Sequence, residues 1–97
     1  MELTQIIYIN QNKFTCEFVE KLCKQNDIAC YTLDQVQDFV YLIDDLRPQI
    51  ILVASDTFEK FEDQIAHYLE LANHKAKLAQ IDQINSNTFI EQLSNLL

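Results

Sequence analysis

The 97-residue chain carries fifteen acidic and seven basic side chains, and its net charge of −8 disfavours binding to nucleic acids and to anionic membrane surfaces. Its apolar runs are far shorter than the roughly 20 residues that a bilayer requires, and its start lacks the basic region of a signal peptide. We therefore predict one cytoplasmic domain spanning residues 1–97, with no nucleic-acid or membrane partner.

Four short apolar runs are predicted to form β-strands. The runs at 5–9, 28–33 and 50–54 are continuous and rich in β-branched or aromatic residues, which is typical of strands buried on both faces. The run at 76–81 is a weaker candidate, because polar residues interrupt it and it has only one β-branched residue. These four runs are spaced widely enough for a helix to lie between each pair.

The segments between and after these runs change to the periodicity of a helix, with one apolar stripe each. The four stripes comprise Phe14, Phe18, Val19 and Leu22; Val36, Phe39, Val40, Ile43 and Leu46; Phe58, Phe61, Ile65, Tyr68, Leu69 and Ala72; and Phe89, Ile90, Leu93, Leu96 and Leu97. Strands that alternate with single helices form right-handed βαβ units. We therefore predict a three-layer α/β sandwich, in which a four-stranded parallel sheet of order 2-1-3-4 has helices on both faces.

Polar pairs predict where two of the helices begin. Asp56 followed by Glu59 resembles a capping box before the third helix. Thr32 with Gln35 offers a similar start to the second helix.

The ends of the helices are predicted from proline and asparagine. Pro48 prevents the second helix from continuing beyond Arg47. Because the chain contains no glycine, any left-handed residue at a helix end must be of another type, and asparagine is the best suited. We predict that Asn26 and Asn73 take these positions.

Three cysteines, Cys16, Cys23 and Cys30, are spaced seven residues apart. Their odd number and the lack of a CxxC pair disfavour both a disulfide framework and a zinc site. We expect reduced thiols that pack in the core, with a redox role for a partly exposed Cys16 as the alternative.

In a parallel sheet of this kind, the functional crevice lies at the carboxyl ends of the strands, where the strand order reverses. The residues that follow the strands are Asn10, Gln11, Asn12, Ala54, Ser55, Asp56, Asp82 and Gln83.

The stretch IIYINQNKFTCEFVEKLCKQNDIACYTLDQVQDFVYLIDDLRPQIILVA, residues 6 to 54, resembles the first half of a bacterial response-regulator receiver domain. The tail AKLAQIDQINSNTFIEQLSNLL is similar to the receiver's last strand and helix. The resemblance implies a flavodoxin-like, receiver-like fold, shortened by about one strand and helix in the middle.

The resemblance also implies that the receiver's chemistry has been lost. Asn10 and Gln11 stand where a receiver carries the acidic pair that holds magnesium, and Ala54 stands where it carries the phosphoacceptor aspartate. Asp82 replaces the conserved lysine of the family, and Ala79 replaces its switch aromatic. The hydroxyl residue of the receiver's fourth strand falls in the missing segment.

Aspartyl phosphorylation needs a carboxylate nucleophile, a divalent cation and a second cation beside the product. Because all three are absent from the matching positions, we predict a degenerate phosphoacceptor pocket, no catalysis and no cofactor. Asp56 is a poor substitute acceptor, since it would still lack an acidic pair and a lysine.

The alternative hypothesis is a small enzyme that uses the crevice. One form of it is a phosphotransferase similar to the IIB proteins of sugar transport, although Asn10 stands where their cysteine would follow the first strand. The other is a metal-dependent enzyme, and hard cations accept carboxylate ligands. For such a cation the candidate ligands are Asp56 and Asp82, with Asn10 or Gln11 adding carbonyl oxygens. For zinc or nickel they are Asp63, His67, Glu70 and His74, along one face of the third helix.

A protein without a phosphoryl switch acts through the contacts of its folded surface. We expect the partner to be another protein, with a basic surface that matches the negative charge, or a second copy of this chain. The candidate contact residues are Tyr41, Leu71 and Ile84, apolar side chains outside the predicted stripes.

Overall fold

The computed structural model of the chain describes residues 6–82 and 86–96. Strands and helices alternate along it as predicted. The strands are β1 (Ile6–Ile9), β2 (Cys30–Leu33), β3 (Ile50–Ala54) and β4 (Lys77–Ile81). The helices are α1 (Lys13–Gln25), α2 (Phe39–Leu46), α3 (Ser55–Leu71) and α4 (Ser86–Leu96), and a 3₁₀ turn at Val36–Asp38 precedes α2.

The four strands form one parallel sheet in the order β2-β1-β3-β4, which confirms the predicted order. Ile6 is in register with Cys30 on one side and with Ile50 on the other, and Ile50 is in turn in register with Lys77. The central strands β1 and β3 are buried along their whole length, while the edge strands β2 and β4 keep exposed positions. The edge strand β2 begins two residues later than predicted, at Cys30.

Helices cover both faces of the sheet. Alternate residues of the central strands point to opposite faces, as the pleat of a strand requires. Ile6, Tyr8, Ile50 and Leu52 face α1 and α4, and the side chains of Ile7, Ile9, Ile51 and Val53 face α2 and α3. The molecule is therefore the three-layer α/β sandwich that the alternation predicts.

The predicted apolar stripe of α1 is partly wrong. Phe14 is 82% exposed and Phe18 is 42% exposed. The helix instead buries Val19 and Leu22, as predicted, together with Cys16 and Cys23. Because thiols are small and apolar, they allow the helix to lie close to the sheet, and the bulkier phenyl groups turn towards solvent.

The fourth helix buries the side chains that its periodicity predicts. Phe89 and Leu93 are buried, and Ile90 is partly buried against the same core. The side chains of Leu96 and Leu97 lie outside the described residues. The last helix therefore packs on the same face of the sheet as α1.

Neither predicted capping pair starts a helix. Helix α3 begins at Ser55, directly after β3, so Ala54 occupies the capping position and provides no side-chain hydrogen bond. Asp56 lies within the first turn, where its Oδ1 accepts a hydrogen bond from the backbone N–H of Thr57 at 2.9 Å. Thr32 lies within β2, and Gln35 precedes the 3₁₀ turn without a capping bond.

The left-handed positions fall on other residues than the asparagines. Asn26 caps the end of α1, as predicted, but its φ is −109°, and its Nδ2 donates to the carbonyl of Leu22 at 2.8 Å. The left-handed residues are Asp27, with φ of 56°, and Arg47, with φ of 49°. Arg47 ends α2 directly before Pro48, which confirms the predicted end of that helix.

Asp44 holds the turn that follows α3. Its Oδ1 accepts hydrogen bonds from the backbone N–H groups of Asn73, at 2.9 Å, and His74, at 2.7 Å. Asn73 therefore follows the helix without a left-handed conformation, because a carboxylate of α2 supplies the acceptor for its N–H. This contact ties α2 to the start of the loop before β4.

Arg47→Gly is expected to raise the free energy of unfolding by about 0.5–1 kcal/mol, because a residue with a Cβ is strained at positive φ. The side chain of Arg47 is exposed, so little packing is lost. Urea denaturation measures the change. Arg47→Ala keeps the Cβ and serves as the control, and an equal gain for both variants would show that the arginine, not the strain, is responsible.

Within residues 6–82 and 86–96, every helix falls short of the length and apolarity that a membrane span requires.

Candidate functional site at the carboxyl edge of the sheet

A cleft of about 680 Å³ lies at the carboxyl ends of the strands, between the start of α1 and the start of α3. We call it the carboxyl-edge cleft. Three of the four residues predicted for the degenerate pocket, Asn10, Ala54 and Asp82, line it. The other lining residues are Tyr8, Asn12, Phe14, Thr15, Phe18, Ser55, Asp56 and Glu59.

The side chain of Asn10 makes two local hydrogen bonds. Its Nδ2 donates to the hydroxyl of Tyr8 at 2.8 Å, and its Oδ1 accepts from the backbone N–H of Asn12 at 2.9 Å. Asn10 is also buried. The amide therefore holds the turn between β1 and α1, and this turn uses part of the hydrogen-bonding capacity of its neutral carbonyl oxygen.

Tyr8 forms the floor of the carboxyl-edge cleft. The side chain is fully buried, and burial raises the pKa of Tyr8 to about 12, against a smaller lowering by the hydrogen bond from Asn10. The nearby carboxylate of Asp56 also raises the pKa of Tyr8. A neutral phenol thus occupies the base of the cleft.

Cys16 lies beneath the same turn. The partly exposed position on which its alternative redox role depended is wrong. Cys16 is buried, and its Sγ donates to the carbonyls of Asn10, at 3.2 Å, and Leu33, at 3.6 Å. Burial, followed by the charge of Asp34, raises the pKa of the Cys16 thiol to about 11. Because the thiolate is the reactive form, Cys16 is poorly suited to redox chemistry.

Alkaline pH is expected to destabilise the protein through these two buried acids. In the folded state the pKa of Cys16 rises from 9.0 to about 11 and that of Tyr8 from 10.0 to about 12. The folded chain therefore holds protons that the unfolded chain releases, and this stability is present below pH 9 and lost between about pH 9 and about pH 12.

Urea unfolding from neutral to alkaline pH tests whether the free energy of unfolding falls as the pH rises. Each of the two groups is expected to account for up to about 2–3 kcal/mol of the fall. Cys16→Ala removes the thiol and is expected to make the loss between pH 9 and 11 shallower. A variant that loses stability as steeply as the wild type would contradict the assignment to Cys16.

Gln11, the fourth predicted pocket residue, is exposed and does not line the cleft. Its backbone N–H donates to Oγ1 of Thr57 at 3.3 Å, and this bond joins the end of β1 to the first turn of α3. Thr57 is buried, and its role was not predicted from the sequence. The feature of the sequence that could have indicated this role is a hydroxyl residue in the first turn after a buried strand. At that position its oxygen can accept a hydrogen bond from the loop after the neighbouring strand.

Ala54 ends β3 with a buried methyl group, so the cleft has no nucleophile at this point. The nearest acidic residue in sequence, Asp56, is exposed, and one of its oxygens is turned back to the N–H of Thr57. Among the described side chains, no three of the histidine, cysteine, aspartate and glutamate type converge closely enough to hold a metal ion. Asp56, Glu59 and Asp82 all line the cleft, but they do not form such a group.

The four residues expected on one face of the third helix do not share it. Asp63, His67 and Glu70 are exposed on α3, but the helix ends at Leu71. His74 lies in the loop beyond it, and its Nε2 donates to the carbonyl of Pro48 at 2.6 Å. This second metal hypothesis is therefore wrong in its geometry.

All three cysteines are free, as predicted. Cys23 and Cys30 form a hydrogen-bonded pair of thiols between the end of α1 and the start of β2. This contact lowers the pKa of Cys23 and, together with burial, raises that of Cys30. The pair packs under the helix, away from the carboxyl-edge cleft.

Two of the three predicted contact residues are exposed apolar side chains. Tyr41 on α2 is 73% exposed and Leu71 at the end of α3 is 59% exposed. Ile84 lies outside the described residues. Phe14 and Phe18, which the sequence analysis placed in the core, are also exposed and line the cleft.

The parallel sheet of order β2-β1-β3-β4 with helices on both faces defines a flavodoxin-like fold. Within that class the chain is similar to a solved structure described as a response regulator receiver modulated diguanylate cyclase from Pelobacter carbinolicus. The match has a TM-score of 0.65 and 12% sequence identity, and it covers 97% of this chain and 92% of that chain. The fold is therefore receiver-like.

No protein-family model matches the sequence, and no curated protein matches it.

Proposed function

We propose that this chain is a degenerate receiver, a non-catalytic module of bacterial signalling that acts in the cytoplasm through protein–protein contacts. The observation that carries the proposal is the alanine at the end of β3. Ala54 occupies the position that the receiver resemblance assigns to the phosphoacceptor, and its buried methyl group has no nucleophilic atom.

The surroundings of Ala54 support the same conclusion. Phosphoryl transfer to a carboxylate needs a bound divalent cation and a positive charge beside the product. The carbonyl oxygen of Asn10 is engaged by the N–H of Asn12, and Asp82 brings a negative charge to the cleft. A phosphoryl group in the carboxyl-edge cleft would be repelled.

The molecular surface supports a role in binding another protein. Tyr41 and Leu71 expose most of their apolar side chains, and a partner that covers them removes apolar area from water. The net charge of −8 favours a partner with a basic surface and speeds its encounter. We prefer a different protein to a second copy of this chain, because two copies would bring like charges together.

Affinity capture followed by reconstitution tests the proposed function. The tagged chain is used to capture proteins from the native cytosol, and each captured protein is purified and its affinity measured with and without magnesium and acetyl phosphate. We expect a partner that binds with unchanged affinity in both conditions. A Tyr41→Ser/Leu71→Ser variant is expected to bind at least about tenfold more weakly.

Two results would contradict the proposal. One is a partner that binds only after treatment with acetyl phosphate, which would indicate a working phosphoryl switch. The other is the recovery of no protein above the level seen with an unrelated bait of similar negative charge.

A further inference from the structure

We propose that the carboxyl-edge cleft binds a lysine or arginine side chain of the partner, with Phe14 and Phe18 covering the apolar residues next to it. This inference rests on the proposed function. It adds a contact on the α1 side of the sheet to the one through Tyr41 and Leu71 on the α2 and α3 side, and it gives the chemistry of the added contact. Two independent features of the cleft support it, one apolar and one electrostatic.

The apolar feature is a pair of exposed aromatic rings. Phe14 and Phe18 stand at positions i and i+4 of α1 and therefore lie on neighbouring turns of the same side of the helix. They are 82% and 42% exposed, and both line the cleft. Two adjacent phenyl groups at the rim of one cleft form an apolar surface that a partner can cover.

The electrostatic feature is an unbalanced group of carboxylates. Asp56 and Glu59 in the first turns of α3 and Asp82 after β4 line the same cleft, and all its other lining side chains are uncharged. None of the three forms an ion pair with a residue that the structure describes. The adjacent lysine, Lys60, is directed instead over the ring of Phe61, with its Nζ 5.7 Å from the ring centroid.

Together these features match the side chain of a basic residue better than they match a metal ion or an anion. The described residues contain no group of three ligands for a metal, and three carboxylates repel phosphate and other anions. A guanidinium or ammonium group is attracted both by carboxylates and by the faces of aromatic rings. The cleft of about 680 Å³ has room for the end of a long basic side chain.

The test uses a defined probe, a synthetic twelve-residue peptide that alternates arginine and leucine, with a glutamine-for-arginine peptide as its control. Amide chemical shifts of the ¹⁵N-labelled full chain are recorded during titration with each peptide. We expect the arginine peptide to shift the amides of Phe14, Phe18, Glu59 and Asp82, and the glutamine peptide to bind at least about tenfold more weakly.

Two variants and their matched controls assign the contact to the cleft. Phe14→Ser/Phe18→Ser and Asp56→Asn/Glu59→Gln are each expected to weaken the arginine peptide about tenfold, since each removes one of the two features. Tyr31→Ser changes another exposed aromatic residue, 44% exposed and away from the cleft, and should leave the affinity unchanged. Glu62→Gln/Asp63→Asn removes the same charge elsewhere on α3, and should also leave it unchanged. The native shift dispersion of each variant confirms that it is folded.

The inference is wrong if the shifts fall on another surface, if the cleft variants bind as tightly as the wild type, or if the arginine peptide does not bind. The reconstituted partner separates these failures from failure of the proposed function. A partner that binds the Phe14→Ser/Phe18→Ser variant as tightly as the wild type would contradict the proposed cleft contact. It would not contradict the proposed function in protein–protein binding.

Discussion

Phe39→Ala is expected to lower the free energy of unfolding by about 3–5 kcal/mol, the usual range for truncating a buried phenylalanine. Phe39 is fully buried at the start of α2. It packs in the core between the sheet and α3, with its ring centroid 6.4 Å from that of Tyr68. Removing the ring opens a cavity that the surrounding helices and strands fill only in part.

Phe14→Ala is the matched control, because it makes the same chemical change on an exposed side chain. We expect its free energy of unfolding to stay within about 0.5 kcal/mol of the wild type. Urea denaturation of the three proteins measures both effects. Similar losses for the two variants would mean that Phe14 belongs to the core, and would also remove the apolar half of the proposed partner contact.

Ala54→Asp is expected to lower the free energy of unfolding by about 2–4 kcal/mol at neutral pH and to create no phosphoacceptor. The new carboxylate would be buried at the end of β3, in a cleft that Asp56 and Asp82 already line. Burial and neighbouring negative charges both favour its protonated form. The loss of stability should therefore become smaller as the pH is lowered and the carboxylate takes up a proton.

Ala54→Asn separates the charge from the added volume. The neutral side chain of asparagine is similar in size to that of aspartate. We therefore expect Ala54→Asn to lower the free energy of unfolding by less than Ala54→Asp does, and the loss to change little at acidic pH. Chemical denaturation of both variants at neutral and mildly acidic pH measures the difference. An Ala54→Asp protein that is as stable as the wild type and becomes phosphorylated would show that the cleft still binds the cations required for transfer.

The order and direction of the strands could be predicted because the central strands are almost wholly apolar. Runs such as 6–9 and 50–54 are compatible only with burial on both faces, and single helices between them force parallel pairing. The weaker run at 76–81 forms the edge strand β4, Lys77–Ile81, and an edge strand needs fewer apolar residues.

The orientation of α1 could not be predicted from hydrophobicity alone. Phe14 and Phe18 are more apolar than Cys16 and Cys23, yet the thiols face the sheet and the rings face solvent. The periodicity of a helix allows either line of residues to face inwards, and the choice depends on how closely the helix approaches the strands.

The candidate site was predicted in position but not in detail. The topology alone brings Asn10, Ala54 and Asp82 to one edge of the sheet, because the carboxyl ends of parallel strands lie together. The hydrogen bond between Asn10 and Tyr8, and the role of Thr57, depend on the rotamers and on the direct passage from β3 into α3. Sequence spacing carries no information about either.

The most direct test of the proposed loss of phosphoryl chemistry is the intact mass of the 97-residue chain after incubation with magnesium and acetyl phosphate. We predict that the mass stays unchanged, because Ala54 supplies no nucleophile at the end of β3. A mass increase of one phosphoryl group, lost on treatment with hydroxylamine and abolished by Asp56→Asn, would show that an acyl phosphate forms in the cleft and would contradict the proposed function.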